Sequence, residues 1–334
     1  MKTLKLLGTS ALVAALAAPA FASGPDGDSF TVTFNGRAEL SLVYASVEVD
    51  DGVDDDTFTG VDADGVYMEN NYTRFGFTAS GDTAVGAFKA RIEGDFAPSA
   101  GNTHTFRLRH GYGQVGPILA GMTDSLMRTG TPYVSDWGWE WADSVSAGNN
   151  WGRVRQLRYT TEMGGAKVAV ALEDAAPVGA GVTDFFDLTA NAQFSAGPAS
   201  VVVAGTLRDN GDSAVVGAAS FSLGAADAFV TAAYGDGAIA NFFVQAAGTT
   251  NFGIGGGVYV PAGDNLTAYV GASTAENQDN DDTATYATAS LTWSPAPQYS
   301  IIGQVHYHDV DRPSTAAADD FEAIVFENRW MYKF

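Results

Sequence analysis

The side chains in this sequence that could do chemistry are mostly fixed charges. Arg37, Arg74, Lys89, Arg91, Arg107, Arg109 and Arg158 lie within segments in which polar and apolar residues alternate. In an extended strand, alternate positions share a face, so each of these cations is expected on the polar side of its own strand. A guanidinium stays charged at any working pH, and a wall of them holds a permanent field. Opposite charge comes from Asp124, Asp136, Glu140 and Asp143 in the long stretch 124–151, which also holds Tyr133, Trp137, Trp139, Trp141 and Trp151. A connection of that length is usually functional or disordered, and its aromatic content argues against disorder. Cations on one wall facing carboxylates on a loop would discriminate between ions.

Other chemistries find less support. Asp50, Asp51, Asp54, Asp55 and Asp56 crowd the first polar stretch. Carboxylates can hold calcium, but the spacing is not that of the twelve-residue calcium loop and no closing Glu follows. Weak Ca2+ binding at the acidic loops is the most this pattern supports. No confident metal site and no cofactor are expected. Cysteine is absent, which removes thiol catalysis, disulfides and zinc–thiolate sites. Of the four histidines, His306 and His308 fall on a polar strand face. His104 and His110 share the opposite parity and are expected to face away from the arginines. No nucleophile can be assigned beside either pair, so the chain does not read as an enzyme. With 39 acidic against 17 basic residues, the net charge is −22. That excludes nucleic acid as a natural partner, because neutralising phosphates takes Lys and Arg.

The elements that must position these charges are strands. Val32, Phe34, Ala38, Leu40, Leu42 and Tyr44 alternate with Thr33, Asn35, Arg37, Glu39 and Ser41. The same alternation returns in 88–96, 167–173, 186–194, 287–293, 301–308 and 324–334, and none of these stretches has helical spacing. Strands with lipid on one side and water on the other have this pattern. Short turns are expected at 80–83, 116–117, 163–165, 196–198, 224–227, 261–265 and 294–298, with longer polar loops between them. That rhythm gives an all-β fold, a transmembrane antiparallel β-barrel of about 16 strands with a long third loop folded into the lumen. The 235–260 stretch leaves room for a further pair. Trp293, Tyr299, Trp330, Tyr332 and Phe334 sit near strand ends on the turn side and form the expected interfacial aromatic girdle.

At the N-terminus, Lys2 and Lys5 precede a mostly apolar Leu6–Ala18, and Ala20-Phe21-Ala22 fits a small-x-small cleavage site. Residues 1–22 read as a secretory signal peptide and 23–334 as the barrel domain. The nearest candidate for a membrane helix, Ala214–Ala226, is well short of the ~20 residues needed.

Several segments carry a family resemblance. These are Phe106-Arg107-Leu108-Arg109-His110-Gly111-Tyr112-Gly113, Leu119-Ala120-Gly121-Met122-Thr123, Arg155-Gln156-Leu157-Arg158-Tyr159-Thr160, Val170-Ala171-Leu172-Glu173, Asp187-Leu188-Thr189-Ala190 and Tyr234-Gly235-Asp236-Gly237. In order and spacing they resemble the DcaP-like trimeric outer-membrane channels. The resemblance implies a homotrimer in the outer membrane, among lipid and lipopolysaccharide, passing small hydrophilic solutes passively. Small organic anions such as dicarboxylates are the implied solutes, and the third loop is the implied constriction. Asp124 stands where the family has tryptophan; some members carry an N-terminal coiled-coil extension, whereas here the signal is expected to lead to the first strand within about ten residues. The acidic loops keep a general or cation-preferring porin as the alternative. A structural or adhesive barrel is the alternative of another class.

Overall fold

A computed structural model describes residues 20–23, 29–49, 57–58, 61–62, 64–69, 73–99, 103–129, 152–174, 186–208, 211–236, 251–278, 283–311 and 321–334. The strands are β1 (Ala20–Ser23), β2 (Ser29–Val49), β3 (Thr57–Phe58), β4 (Val61–Asp62), β5 (Asp64–Glu69), β6 (Arg74–Thr83) and β7 (Gly86–Ser99). They continue with β8 (Thr103–Val115), β9 (Ile118–Asp124), β10 (Arg153–Met163), β11 (Ala166–Asp174), β12 (Asp187–Ala196), β13 (Ala199–Leu207) and β14 (Ser213–Leu223). The last six are β15 (Ala226–Asp236), β16 (Asn251–Gly263), β17 (Leu266–Asn277), β18 (Thr283–Ala296), β19 (Tyr299–Asp311) and β20 (Phe321–Lys333).

From β6 to β20 each strand pairs antiparallel with the next. β20 then pairs with β2 and closes the ring. β5 and β6 both lie on the other edge of β2 and share one position, so the barrel has 16 strands. β15 pairs directly with β16, which leaves no place for the further pair that the 235–260 stretch had allowed. β1 adds a short pairing with the first residues of β2, from Ala20↔Val32 to Ser23↔Ser29, and spans the expected cleavage point.

The alternation sorts side chains as the two solvents demand. On β2, Leu40, Leu42 and Tyr44 are exposed on the outer face, while Glu39, Ser41, Val43 and Ala45 are buried on the inner one. Outward Val66, Met68, Phe77, Ile92, Leu157, Tyr159, Val203, Val215, Val270 and Leu291 continue the apolar band. Trp293, Trp330 and Tyr332 are exposed on this face, and the Tyr299 ring lies 6.5 Å from that of Trp330. Phe334 is half-buried, its ring stacked on Phe34 at 5.4 Å.

One expected turn moves. β6 continues through Thr83, and the chain reverses at Ala84-Val85 rather than at 80–83. Thr83 Oγ1 donates to the Gly86 carbonyl (2.7 Å) and accepts from the Val85 amide (3.3 Å), and Gly86 takes the positive φ. Those local bonds outcompete a turn at Gly81-Asp82, which stays in the ladder.

The seam between β20 and β2 is closely fitted. Gly36 and Phe334 exchange both backbone hydrogen bonds, at 2.9 and 3.1 Å. A Cβ at Gly36 would lie 2.5 Å from the Arg74 carbonyl and 2.7 Å from the Phe334 ring. Gly36→Val is therefore expected to cost about 1–3 kcal/mol by overpacking, more than the gain in strand propensity. The conversion of folded to unfolded barrel on heating in detergent should occur at a lower temperature. Gly113→Ala, where nothing lies within 4 Å, should leave it unchanged.

Candidate functional site in the barrel lumen

The inner face of β2 and β6–β8 carries interleaved arginines and carboxylates. Asp95 is fully buried on β7 and accepts from Arg107 through Nε (3.0 Å) and Nη2 (2.9 Å) on β8. Arg109 Nη1 bonds the same carboxylate. Two residues along β7, Glu93 pairs with Arg91 and lies 3.9 Å from Arg74 and 3.5 Å from Arg109. On β2, Arg37 meets Glu39 at 3.0 Å. Across the seam, Arg329 of β20 is 1 % exposed and reaches Glu39 (3.5 Å) and Glu327 (3.0 Å). Glu327 also accepts from Gln304. Charges this buried are tolerable because each is paired or hydrogen-bonded. Lys89 lies on the same face of β7, exposed near the turn end, in register with Ser80 and Gln114.

A bulge explains a departure from the sequence reading. On β7 and β8, Glu93 pairs with His110 but Gly94 pairs with Leu108, so Arg109 is an extra residue. The extra residue flips the parity beyond it. His110, expected to face away from the arginines, instead lies inside. Its Nδ1 is 2.9 Å from Thr123 Oγ1, and its Nε2 is 4.0 Å from Glu93. Gly94, which follows Glu93 at the bulge, leaves room for the Phe106 ring, since a Cβ there would lie 2.1 Å from it. The side chain of His104 lies outside the described residues.

Arg158 has the same orientation on β10 but a different set of partners. Its Nε donates to Gln156 Oε1 and its Nη2 to the Asp124 carbonyl, both at 2.7 Å. Arg153 opens β10 with Nε 3.7 Å from Asp124 Oδ1. Arg155 shares the outward parity of Leu157 and pairs with Asp174 at 3.1 Å. Asp124 ends β9, where Arg128 also bonds it at 2.7 Å. Arg74 stands within electrostatic reach of Arg37, Arg109 and Arg153, so like charges are gathered at this part of the wall.

The root of the third long loop, Ser125–Thr129, turns into the barrel. The Leu126 side chain packs on inward Ala169 and Ala171 of β11. Met127 is completely buried among Ala204, Ala214, Val216 and Ala233 of β13–β15. In a ring of sixteen, these strands lie across the lumen from β2 and β6–β8. The root is tied down by Glu173 of β11, which accepts from the Leu126 amide (2.8 Å), Ser125 Oγ (2.7 Å) and Thr189 Oγ1 (3.1 Å). Asn191 Nδ2 donates to the Leu126 carbonyl at 3.1 Å.

Asp136, Glu140 and Asp143 of the expected constriction lie outside the described residues. So do Asp50, Asp51, Asp54, Asp55 and Asp56 of the acidic stretch. Among the described residues, no cluster of three or more metal-ligating side chains occurs. The sequence reading did not single out Arg329, Glu327 or Glu173 as site residues. Each falls on the charged parity of a recognisable strand, which is the signal that would have found them.

A sequence profile of the Gram-negative porins matches residues 8–313. The chain belongs to the Gram-negative porin family. Solved structures agree on the fold of this porin. The outer membrane channel DcaP of Acinetobacter baumannii superposes with a TM-score of 0.76 at 16% identity, over 94% of this chain and 100% of that one. An anion-selective porin from Comamonas acidovorans gives 0.66 at 14% identity, over 91% and 100%. The in-vitro folded trimer form of OmpT from Vibrio cholerae gives 0.64 at 13% identity, over 91% and 99%. A sequence search of curated proteins returned no match. Family and fold are those of outer-membrane channels rather than of enzymes.

The two kinds of charge pair in this porin should separate on mutation. Asp95→Ala leaves Arg107 and Arg109 facing each other in the wall without their shared carboxylate. A loss of about 3–5 kcal/mol is expected, as for other broken buried pairs. Asp174→Ala removes the partly exposed partner of Arg155 and should cost about 1 kcal/mol or less. Urea unfolding of the detergent-refolded barrel would compare them.

Proposed function

We propose that this porin passes small hydrophilic solutes down their gradients with a preference for small organic anions, dicarboxylates among them. The observation that carries the reading is the arrangement of arginines in the lumen. Arg158 is held by a glutamine and a backbone carbonyl, and the nearest carboxylate to Arg74 is 3.9 Å away. Cations held in this way keep much of their field for a passing solute, whereas Arg107 and Arg109 spend theirs on Asp95. A carboxylate reaching either Arg74 or Arg158 would gain charge-assisted hydrogen bonds from a guanidinium that no carboxylate holds at close range. The similarity to an anion-selective porin agrees with this reading. So does the family resemblance carried by the 106–113 and 155–160 segments.

A homotrimer is part of the proposal, supported by the likeness to the trimer form of OmpT. So is removal of residues 1–22 on export. The channel needs no cofactor. The acidic loops, with any weak Ca2+ they gather, concentrate cations at the mouth without setting selectivity, because the decisive field is that of the narrowest charged wall. A general or cation-preferring porin is the second reading, favoured by the net charge of −22.

Reversal potential in planar bilayers under a KCl gradient decides between them. The expected result is anion preference in the wild type, weakened in Arg74→Ala and Arg158→Ala and less affected in Arg107→Ala. Cation preference that ignores all three substitutions would leave the acidic general porin. Absence of conductance would favour a structural or adhesive barrel.

A further inference from the structure

Glu173 is an unusual residue in this wall. It is 4 % exposed, and its hydrogen bonds go to a backbone amide and two hydroxyls rather than to a basic side chain. Two of those three donors, the Leu126 amide and Ser125 Oγ, belong to the root of the third loop. We propose that Glu173 is the positioning residue that pins this root to the lumen wall and so sets the width of the passage.

The geometry supports this in three ways. First, the contacts join segments far apart in sequence, so they are tertiary and not a local turn. Second, both carboxylate oxygens are used. Oε1 takes the Leu126 amide, and Oε2 takes Ser125 Oγ and Thr189 Oγ1, which itself lies 2.9 Å from Thr206 Oγ1. Hydrogen bonds to an ionised acceptor are shorter and stronger than neutral ones, and their fixed directions define a position. Third, the residue after Leu126 is seated independently. Met127 fills an apolar socket on β13–β15, and Ser125 Oγ accepts from its amide at 3.1 Å. A polar anchor on β11 and an apolar one on β13–β15 hold the root at two points across the inner face.

The competing role is that of a fixed negative charge that selects ions. The chemistry separates the two. A glutamine at 173 keeps an acceptor for the Leu126 amide but removes the charge, while an alanine removes both.

The test compares Glu173→Gln, Glu173→Ala, Met127→Ala and Ser125→Ala in planar bilayers. It reads single-channel conductance, the size cut-off for neutral polyethylene glycols and reversal potential, with heat conversion in detergent alongside. Glu173→Ala is expected to admit larger polymers. Displacement of the root should be more frequent by about tenfold for each of the two root hydrogen bonds to the charged acceptor that are lost. Glu173→Gln should keep the cut-off near that of the wild type. Met127→Ala should shift it in the same direction as Glu173→Ala, and Ser125→Ala less far. If the alanine variant does not fold, Met127→Ala and Ser125→Ala carry the test. Equal changes in reversal potential for Gln and Ala, with an unchanged cut-off, would overturn the proposal in favour of a fixed charge. A lowered heat-conversion temperature with an unchanged cut-off would overturn it in favour of wall packing. The cut-off uses uncharged probes, so its outcome is independent of the anion preference proposed above.

Discussion

A sheet in lipid must leave no backbone amide or carbonyl unpaired, and the rest of this molecule depends on meeting that demand. Water cannot satisfy an edge strand inside a bilayer, so the sheet has to close. Here closure falls to β2 and β20, paired from Arg37↔Lys333 to Val49↔Phe321. Gly36, Phe34 and Phe334 fit the lipid side of that seam, and Arg329, Glu39 and Glu327 bind its lumen side. One joint thus combines an apolar fit on one face with a buried charge network on the other. It divides inside from outside at the point where the ring is completed.

Closure creates a second constraint. The inner face is wet enough to admit charge and crowded enough to bury it. Opposite charges interleaved across β2 and β6–β8 satisfy one another in register, with Asp95 taking two arginines and Glu93 touching four basic side chains. Of the arginines least engaged with carboxylates, Arg74 stands within that cluster and Arg158 beyond it on β10. The third loop's root lies on strands across the lumen. The two sides of the lumen thus differ: one presents charge, and the other seats the root of the third loop.

Much of this was legible in the sequence, because a two-solvent strand writes its own periodicity. The outward Leu40-x-Leu42-x-Tyr44 and inward Glu39-x-Ser41 pattern is enough to place β2, and six of the seven expected turns fall where glycine, proline and polar residues put them. What could not be read has a physical reason in each case. The turn at Ala84-Val85 is set by one threonine hydroxyl, which competes locally with a more obvious Gly-Asp pair. The inward turn of His110 depends on a bulge, and a single unpaired residue carries no compositional mark. The role of Glu173 depends on a partner 47 positions away, which alternation cannot encode. Arg153 and Arg155 have the same parity but different surroundings, because Arg153 opens its strand opposite Asp124 while Arg155 sits beside Asp174.

The bulge at Arg109 is not isolated. Between Glu69 and Arg74 the chain gains one residue against β2, where Ser41 pairs with Glu69 and Arg37 with Arg74. The Thr73 hydroxyl fills part of that gap, accepting from the Glu39 amide at 3.1 Å. The register against β2 therefore shifts by one just before β6, while β8 carries its own surplus residue at Arg109. A bulge of this kind lets the wall carry one more charged side chain than strict alternation allows. An inserted residue adds a side chain to the inner face and reverses the parity beyond it, while the neighbouring strands keep their register.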